Sequence, residues 1–112
     1  MAEKIVDING QNVKFKITGL TPVMYMSMYG KDFLAEFIKL EKDLQEGNVQ
    51  DFMPFYRIAY VLAKKGDESI GSMEEWLESF EDGLPVFDLL QELMPLIQMN
   101  FTTQKKPTGK KK

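Results

Sequence analysis

The sequence predicts a small α+β fold, in which an N-terminal β-hairpin is followed by a mostly α-helical domain of about four to five helices. Two observations lead to this prediction. Asn9 and Gly10 separate two apolar runs, and the second run alternates strictly with polar residues, as in a half-buried hairpin. After the hairpin, apolar residues recur at helical spacing in segments separated by glycine, proline and asparagine, which indicates helices joined by short turns.

The composition indicates one small globular domain without catalytic chemistry. The chain has 112 residues, of which 44% are hydrophobic, and it contains no cysteine and no histidine. Disulfides and thiolate chemistry are thereby excluded, as are the commonest general base and metal ligand. No apolar run approaches the roughly 20 residues of a membrane helix, and the N-terminus has no signal-peptide core. We expect a cytoplasmic, non-enzymatic domain over residues 1–101, with no cofactor, no metal and no membrane contact.

The charge is distributed unevenly along the chain. Five of the 14 basic residues fall in the last eight positions, which contain no acid: Lys105, Lys106, Lys110, Lys111 and Lys112. The other nine basic residues face 17 acidic ones, so the body of the chain has a net charge near −8. An acidic body argues against nucleic-acid binding by the fold. From Thr103 onward the only apolar residue is Pro107, and we expect residues 102–112 to form a disordered basic tail.

The hairpin is predicted over residues 4–17, and a short helix follows it at about 22–29. Thr21 and Pro22 are typical of an N-cap and a first helical position. The next residues admit two interpretations, because methionines alternate as in a strand while two pairs are spaced i,i+4 as in a helix. These pairs are Met24/Met28 and Tyr25/Tyr29. The proline at the start and Gly30 at the end favour the helix.

A second helix is predicted over residues 32–46, with Asp32 as its N-cap. An apolar stripe runs along it at a spacing of three and four residues, which is typical of a face that packs on a core. The stripe consists of Phe33, Phe37, Leu40 and Leu44. Leu34 and Ile38 are expected to widen this buried face.

The third helix, predicted over residues 51–65, is the element around which the others are expected to pack. It is apolar on nearly every side, as buried helices are. Asp51 is expected to be its N-cap, and Gly66 is expected to end it in the left-handed conformation. Arg57 is the one charge in its middle, so this side chain must either reach the surface or meet a carboxylate.

Two further helices are predicted over residues 72–81 and 85–99. Ser72 and Glu75 form a capping box that begins the first of them. Trp76 lies on its apolar side and is expected to anchor the core. Pro95 falls inside the second, where its missing N–H predicts a kink or a break.

No catalytic or metal-binding motif is present in the sequence. There is no glycine-rich phosphate loop and no nucleophile–base pair. No further acid follows Asp7 at the spacing of a calcium loop. A loop from Asp67 to Glu78 would have the right length, but it has Ser72 where glycine is needed and contains a capping box. Paired carboxylates such as Glu74 and Glu78 are more typical of a solvated helix face than of acid–base catalysis. The residues by themselves therefore predict a domain that binds a partner.

Residues 56–64, YRIAYVLAK, and residues 74–80, EEWLESF, carry a resemblance to a known family, to which Ile70 also contributes. With the N-terminal hairpin, the helix start at residues 30–34 and the basic C-terminus, they make the chain resemble the tail assembly chaperones of long-tailed, siphovirus-type phages and prophages of Gram-positive bacteria. The resemblance covers nearly the whole chain. Its residues form the fold and carry no catalytic role.

The resemblance implies a viral protein that coats the tape-measure protein in the host cytoplasm and is absent from the mature virion. Such genes commonly also yield a longer product by ribosomal frameshifting, which would contact the tail tube protein. Residues 109–112 are what an A-rich slippery run would encode. Self-association is left open. Two other classes also remain: a regulatory or adaptor module that binds one folded partner, and a minor structural tail protein.

A chaperone for a long apolar helix needs a groove of adaptable apolar side chains and an acidic exterior. Methionine suits such a groove because it repacks at low cost, although it also fills gaps in cores. The candidate partner-binding residues are Met24, Tyr25, Met28, Tyr29, Leu93, Ile97 and Met99.

Overall fold

The structure is a computed structural model that describes residues 2–101. The elements are β1 (Ala2–Ile8), β2 (Gln11–Ile17), α1 (Thr21–Tyr29), α2 (Phe33–Gln45), α3 (Met53–Gly66), α4 (Met73–Glu78) and α5 (Val86–Asn100). The predicted α+β fold, a hairpin followed by a helical domain, is confirmed. The expected basic tail at residues 102–112 lies outside the described residues. No helix among residues 2–101 combines the length and the apolar character needed to cross a membrane.

The hairpin closes at the two-residue turn that its sequence predicts. Asn9 and Gly10 have φ angles of 54° and 91°, the left-handed region that such a turn requires and that asparagine and glycine tolerate best. The Gly10 N–H donates to Asp7 Oδ1 at 2.7 Å. The Asn9 side-chain amide donates to the Gly83 carbonyl at 3.3 Å, which links the hairpin turn to the loop between α4 and α5.

The core lies between the inner face of the hairpin and the helices, with α3 at its centre. Phe15 and Ile17 of β2 project into it, and α3 contributes the largest set of buried residues. These are Phe55, Ile58, Ala59, Tyr60, Val61, Leu62 and Ala63. The prediction that this helix is buried on nearly every side is confirmed. Apolar side chains from the other elements cover it because no single face of α3 could be left in water without cost.

Both ends of α3 differ from the prediction. The N-cap is Phe52, and Asp51 instead accepts a hydrogen bond from the Met53 N–H at 3.0 Å. Gly66 is still helical and does not have a left-handed φ. Glycine is needed there for another reason, because a Cβ atom would collide with the backbone carbonyl of Lys14. The close approach of α3 to β2, and not a helix-ending turn, explains this glycine.

The short helix α1 is confirmed as a helix, but its first turn differs from the prediction. Thr21 lies within the helix, and its Oγ1 accepts a hydrogen bond from the Thr18 N–H at 2.9 Å. The cap position belongs to Leu20, whose side chain cannot accept a hydrogen bond. Gly30 ends the helix in the left-handed conformation, as expected, with a φ of 67°.

In α2, the predicted cap is confirmed and the predicted width of the buried face is wrong. Asp32 accepts a hydrogen bond from the Ala35 N–H at 2.8 Å. Phe33 and Phe37 are buried, whereas Leu34 and Ile38 are exposed. Each of the exposed residues follows a stripe residue directly, so it is rotated by about 100° from the core-facing direction.

The capping box of α4 is confirmed, with both Ser72 and Glu75 making the reciprocal bonds. The helix ends at Glu78, three residues earlier than predicted, because the chain tightens into bonds between residues three apart, such as Phe80 N–H to the Leu77 carbonyl at 3.1 Å. In α5, no break occurs at Pro95. That proline lies on the exposed side of the helix, where a carbonyl without a helical partner can meet water.

Candidate functional site

The seven residues that were predicted from the sequence to bind a partner differ in how much of their surface is exposed. Three of them are core residues with almost no exposed surface: Tyr25, Leu93 and Ile97. Met24 and Tyr29 are half-buried, while Met28 and Met99 are exposed. The seven do not line one groove, because the inward-facing sides of α1 and α5 are occupied by the core. Only part of the nominated set offers surface to a partner.

The exposed side of α1 presents Met28 together with three apolar residues that are not among the seven candidates. We define the α1 face as Leu20, Val23, Met26 and Met28, which are between 44% and 61% exposed. Leu20, Val23 and Met26 follow one another at intervals of three, so they lie on one side of the helix. The segment from residue 19 to residue 30 contains no charged side chain.

The direction of α1 could not be read from its own residues. Because nearly every residue in it is apolar, the helix has no polar side to identify its outward direction. Burial of Thr21 and Tyr25 fixes the inward direction. Val23 and Met26 then face outward by elimination, a result that depends on the packing of the other helices.

A cavity of about 470 Å³ lies beside the start of α1. Its walls come from the open end of the hairpin, from the loop that leads into α1 and from the end of α5. The lining residues are Ala2, Lys16, Ile17, Thr18, Gly19, Pro22, Asn100 and Phe101. The cavity extends the accessible surface next to the α1 face, and its walls mix apolar side chains with one lysine.

A polar cluster holds α1 to the neighbouring helices. The Tyr25 hydroxyl donates to Glu36 Oε1 at 2.5 Å. Arg57 Nη2 pairs with the same carboxylate at 3.0 and 3.3 Å, which confirms that the central charge of α3 meets an acid. The Arg57 guanidinium also lies 5.9 Å from the centre of the Tyr29 ring, within the range of a cation–π contact. Three helices are therefore joined through one carboxylate.

The cluster keeps the tyrosine in its neutral form. Burial, and next the hydrogen bond to Glu36, raise the pKa of Tyr25 well above its usual range. The phenol therefore remains a hydrogen-bond donor at all ordinary pH values. Because Tyr25, Glu36 and Arg57 all have hydrogen-bond partners within the cluster, we interpret it as a structural contact between the three helices.

The described residues contain no group of three or more histidine, cysteine, aspartate or glutamate side chains that could hold a metal ion. Comparisons of the chain with family models, with curated proteins and with solved structures found no match. Among the features described above, the α1 face is the best candidate for a functional surface, since it exposes large apolar side chains without an intramolecular partner to cover them.

Proposed function

We propose that this chain is a tail assembly chaperone, which binds a tape-measure protein in the host cytoplasm and keeps it in solution until the tail is built. The observation that carries the proposal is the α1 face, a charge-free apolar surface on a domain whose body has a net charge near −8. The resemblance in residues 56–64 and 74–80 supports the same function.

The composition of the α1 face suits a long helical partner whose apolar residues vary from turn to turn. Met26 and Met28 are unbranched and can repack against different side chains at low cost. A partner helix that packs against this face would bury its own apolar residues together with those of α1. Amphipathic helices are usually bound in this way. The cavity next to Pro22 offers room for side chains at the end of such a contact.

The rest of the domain contributes rigidity and solubility. The contacts of Tyr25 with Glu36 and of Arg57 with Glu36 fix α1 before a partner arrives, so less conformational entropy is lost on binding. The acidic body would keep the complex in solution, because like-charged complexes repel one another. An apolar partner that is insoluble alone could then be carried at high concentration.

Co-expression with the candidate tape-measure protein tests the proposal. We expect that protein to be soluble and to co-purify with this chain, and to be found in the pellet when expressed alone. The double variant Val23→Lys/Met26→Lys should lose the complex while its own fold remains intact. Its matched control is Leu34→Lys/Ile38→Lys, which adds the same charges to exposed apolar residues of α2 and should keep the complex.

Four outcomes would count against this proposal. A tape-measure protein that is equally soluble without this chain, or that never co-purifies with it, would exclude the chaperone function. Equal loss of the complex in both double variants would show that the contact is not localised to the α1 face. Detection of the chain in purified virions would favour a structural tail protein instead.

A further inference from the structure

The two edges of the hairpin are covered unequally. The outer edge of β2 meets the end of α3, where Gly66 lies against the Lys14 carbonyl. The helix α5 packs beside β1, with Glu92 Oε1 at 2.7 Å from Lys4 Nζ. Among residues 2–101, however, no hydrogen bond reaches a backbone group of β1 from outside the hairpin. One edge of the sheet is therefore open to strand pairing.

The register identifies the backbone groups on this open edge. Ile8 pairs with Gln11 next to the two-residue turn, and such a closing pair is hydrogen-bonded in both directions. Even-numbered residues of β1 therefore bond to β2, and the intervening ones point their N–H and C=O groups outward. The outward residues are Glu3, Ile5 and Asp7. Each of them therefore has a free donor and a free acceptor on the edge.

The side chains of the outward residues lie on the exposed face of the sheet. Ile5 is 60% exposed, and Glu3 and Asp7 stand two residues away on either side. Natural edge strands commonly carry lysine or proline, which discourage pairing. Here Ile5 stands between Glu3 and Asp7. Glu3 already pairs with Lys14 of β2 at 3.9 Å, whereas Asp7 has no salt bridge within residues 2–101 and favours a strand that carries positive charge opposite it.

The inner side of the open edge is acidic as well. Lys4 Nζ pairs with Glu92 Oε1 of α5 at 2.7 Å, which places that glutamate beside β1. Asp88 is exposed and stands one helical turn earlier on the same side of α5. Lys4 is the only cation on β1, and its charge is already paired with Glu92. Glu92 is paired with Lys4 in turn, so an added strand would meet Asp88 on the inner face and Asp7 on the outer face as the acids without a salt bridge among residues 2–101.

The pairing of β1 with β2 shows what kind of strand sequence β1 accepts on its other edge. In β2, Lys16 stands opposite Glu3 and Lys14 stands opposite Ile5, while Val13 and Phe15 turn inward to the core. We propose that the outer edge of β1 is a strand-addition site for an extended segment of a partner protein, in which lysine or arginine alternates with apolar residues. This site is separate from the α1 face and does not depend on the chaperone function.

A second copy of this chain fits the edge less well. Antiparallel pairing of two β1 strands centred on Ile5 would set Glu3 of one copy opposite Asp7 of the other, and like charges directly opposite each other are destabilising. The acids thus disfavour self-pairing while admitting a basic strand.

A peptide with the sequence of β2, QNVKFKI, is a suitable probe, and QNVEFEI is its matched control. Amide hydrogen exchange of the full chain is followed by NMR as each peptide is added. The basic peptide should slow exchange of the amides of Glu3, Ile5 and Asp7, while the amides of Lys4 and Val6, already bonded within the hairpin, should change little. The acidic peptide should give no protection, because it sets negative charge against Glu3 and Asp7.

Variants of Ile5 separate edge pairing from other modes of binding. Ile5→Pro removes the central outward N–H and should keep the fold, because proline is tolerated where a strand N–H faces solvent. It should weaken peptide binding in calorimetry by about tenfold or more, since a hydrogen bond is lost and the ring blocks the approaching strand. Ile5→Lys should weaken binding by repelling the basic peptide. Ile38→Lys, a similarly exposed residue of α2, is the control and should bind as the unmodified chain does.

Several results would overturn the proposal. These are equal binding of both peptides, binding that leaves the amides of Glu3 and Ile5 unprotected, and unchanged affinity in Ile5→Pro. Protection that appears without peptide as protein concentration rises would show that a second copy occupies the edge instead.

Discussion

Arg57 Nη2 and Glu36 Oε1 pair at 3.0 Å between α3 and α2, with 14% and 19% of the two side chains exposed. The same carboxylate accepts the Tyr25 hydroxyl of α1. Three helices therefore depend on one ion pair that is largely removed from water. This arrangement also explains how a charge is tolerated in the middle of the buried helix, since both charges and the phenol are hydrogen-bonded.

Replacing Glu36 with alanine should destabilise the protein by about 2 kcal/mol, because Arg57 is left without a carboxylate in a mostly buried position. The loss should be smaller than in a fully buried pair, since part of the guanidinium can still reach water. Urea unfolding measures it. Asp43→Ala breaks the exposed pair of Lys39 and Asp43 and should cost much less, because exposed ion pairs contribute little to stability. Equal losses in the two variants would contradict the prediction.

The raised pKa of Tyr25 predicts a loss of stability at alkaline pH. The folded state holds the phenol neutral above the usual pKa of 10.0, whereas the unfolded chain releases its proton near that value. The contribution of the neutral Tyr25 phenol to the free energy of unfolding is therefore complete below pH 10.0. It declines as the pH rises from there toward the pKa of Tyr25 in the folded state. Urea midpoints measured between neutral pH and the onset of irreversible alkaline damage would show this slope.

Tyr25→Phe is the matched variant for the alkaline slope, and it should reduce the slope without abolishing it. Burial also raises the pKa values of Tyr29 and Tyr60, so these two tyrosines contribute with the same sign. An identical slope in Tyr25→Phe and the unmodified chain would show that the phenol does not titrate differently in the folded state.

Local signals in the sequence were sufficient for some elements. Asn9 and Gly10 specify a turn that needs left-handed backbone at both positions, and the caps at Asp32 and Ser72 satisfy N–H groups within their own helices. Such features depend on residues close in the chain, so the sequence alone predicts them.

Other features depend on contacts between distant residues. The sequence pattern assigns Gly66 to a helix end, yet its small size serves the approach of α3 to Lys14, 52 positions earlier in the chain. The outward direction of α1 likewise depends on a contact with another helix, in which the Tyr25 ring packs against Phe33 of α2. The fold class was therefore predictable, while most of the exposed apolar residues of α1 were not.

Trp76→Ala should destabilise the protein by about 3–5 kcal/mol, a large part of the stability of a small domain. The indole is buried, and its ring packs edge-on against Phe15 and Phe80, at centroid distances of 6.4 and 5.2 Å. Removing it leaves a cavity between α4 and the hairpin. An unchanged urea midpoint would mean that this residue does not support the core.

Gly66→Ala should destabilise the protein by about 1–3 kcal/mol, because the added methyl group meets the backbone of β2 and the surrounding core cannot yield freely. The clash is with the carbonyl of Lys14, which is held in the hairpin and cannot rotate away as a flexible side chain would.

Gly19→Ala is the control for this substitution. A methyl group on Gly19 would meet no atom within 4 Å, and this glycine has no left-handed φ. Alanine there should therefore be neutral or slightly stabilising, through the smaller entropy of the unfolded chain. Thermal unfolding of the two variants side by side isolates the steric effect from the general consequence of replacing glycine. If Gly66→Ala were as stable as Gly19→Ala, the close contact between α3 and β2 would be refuted. The outer edge of β2 would then not be covered by α3, and β1 would no longer be distinguished as the open edge of the hairpin.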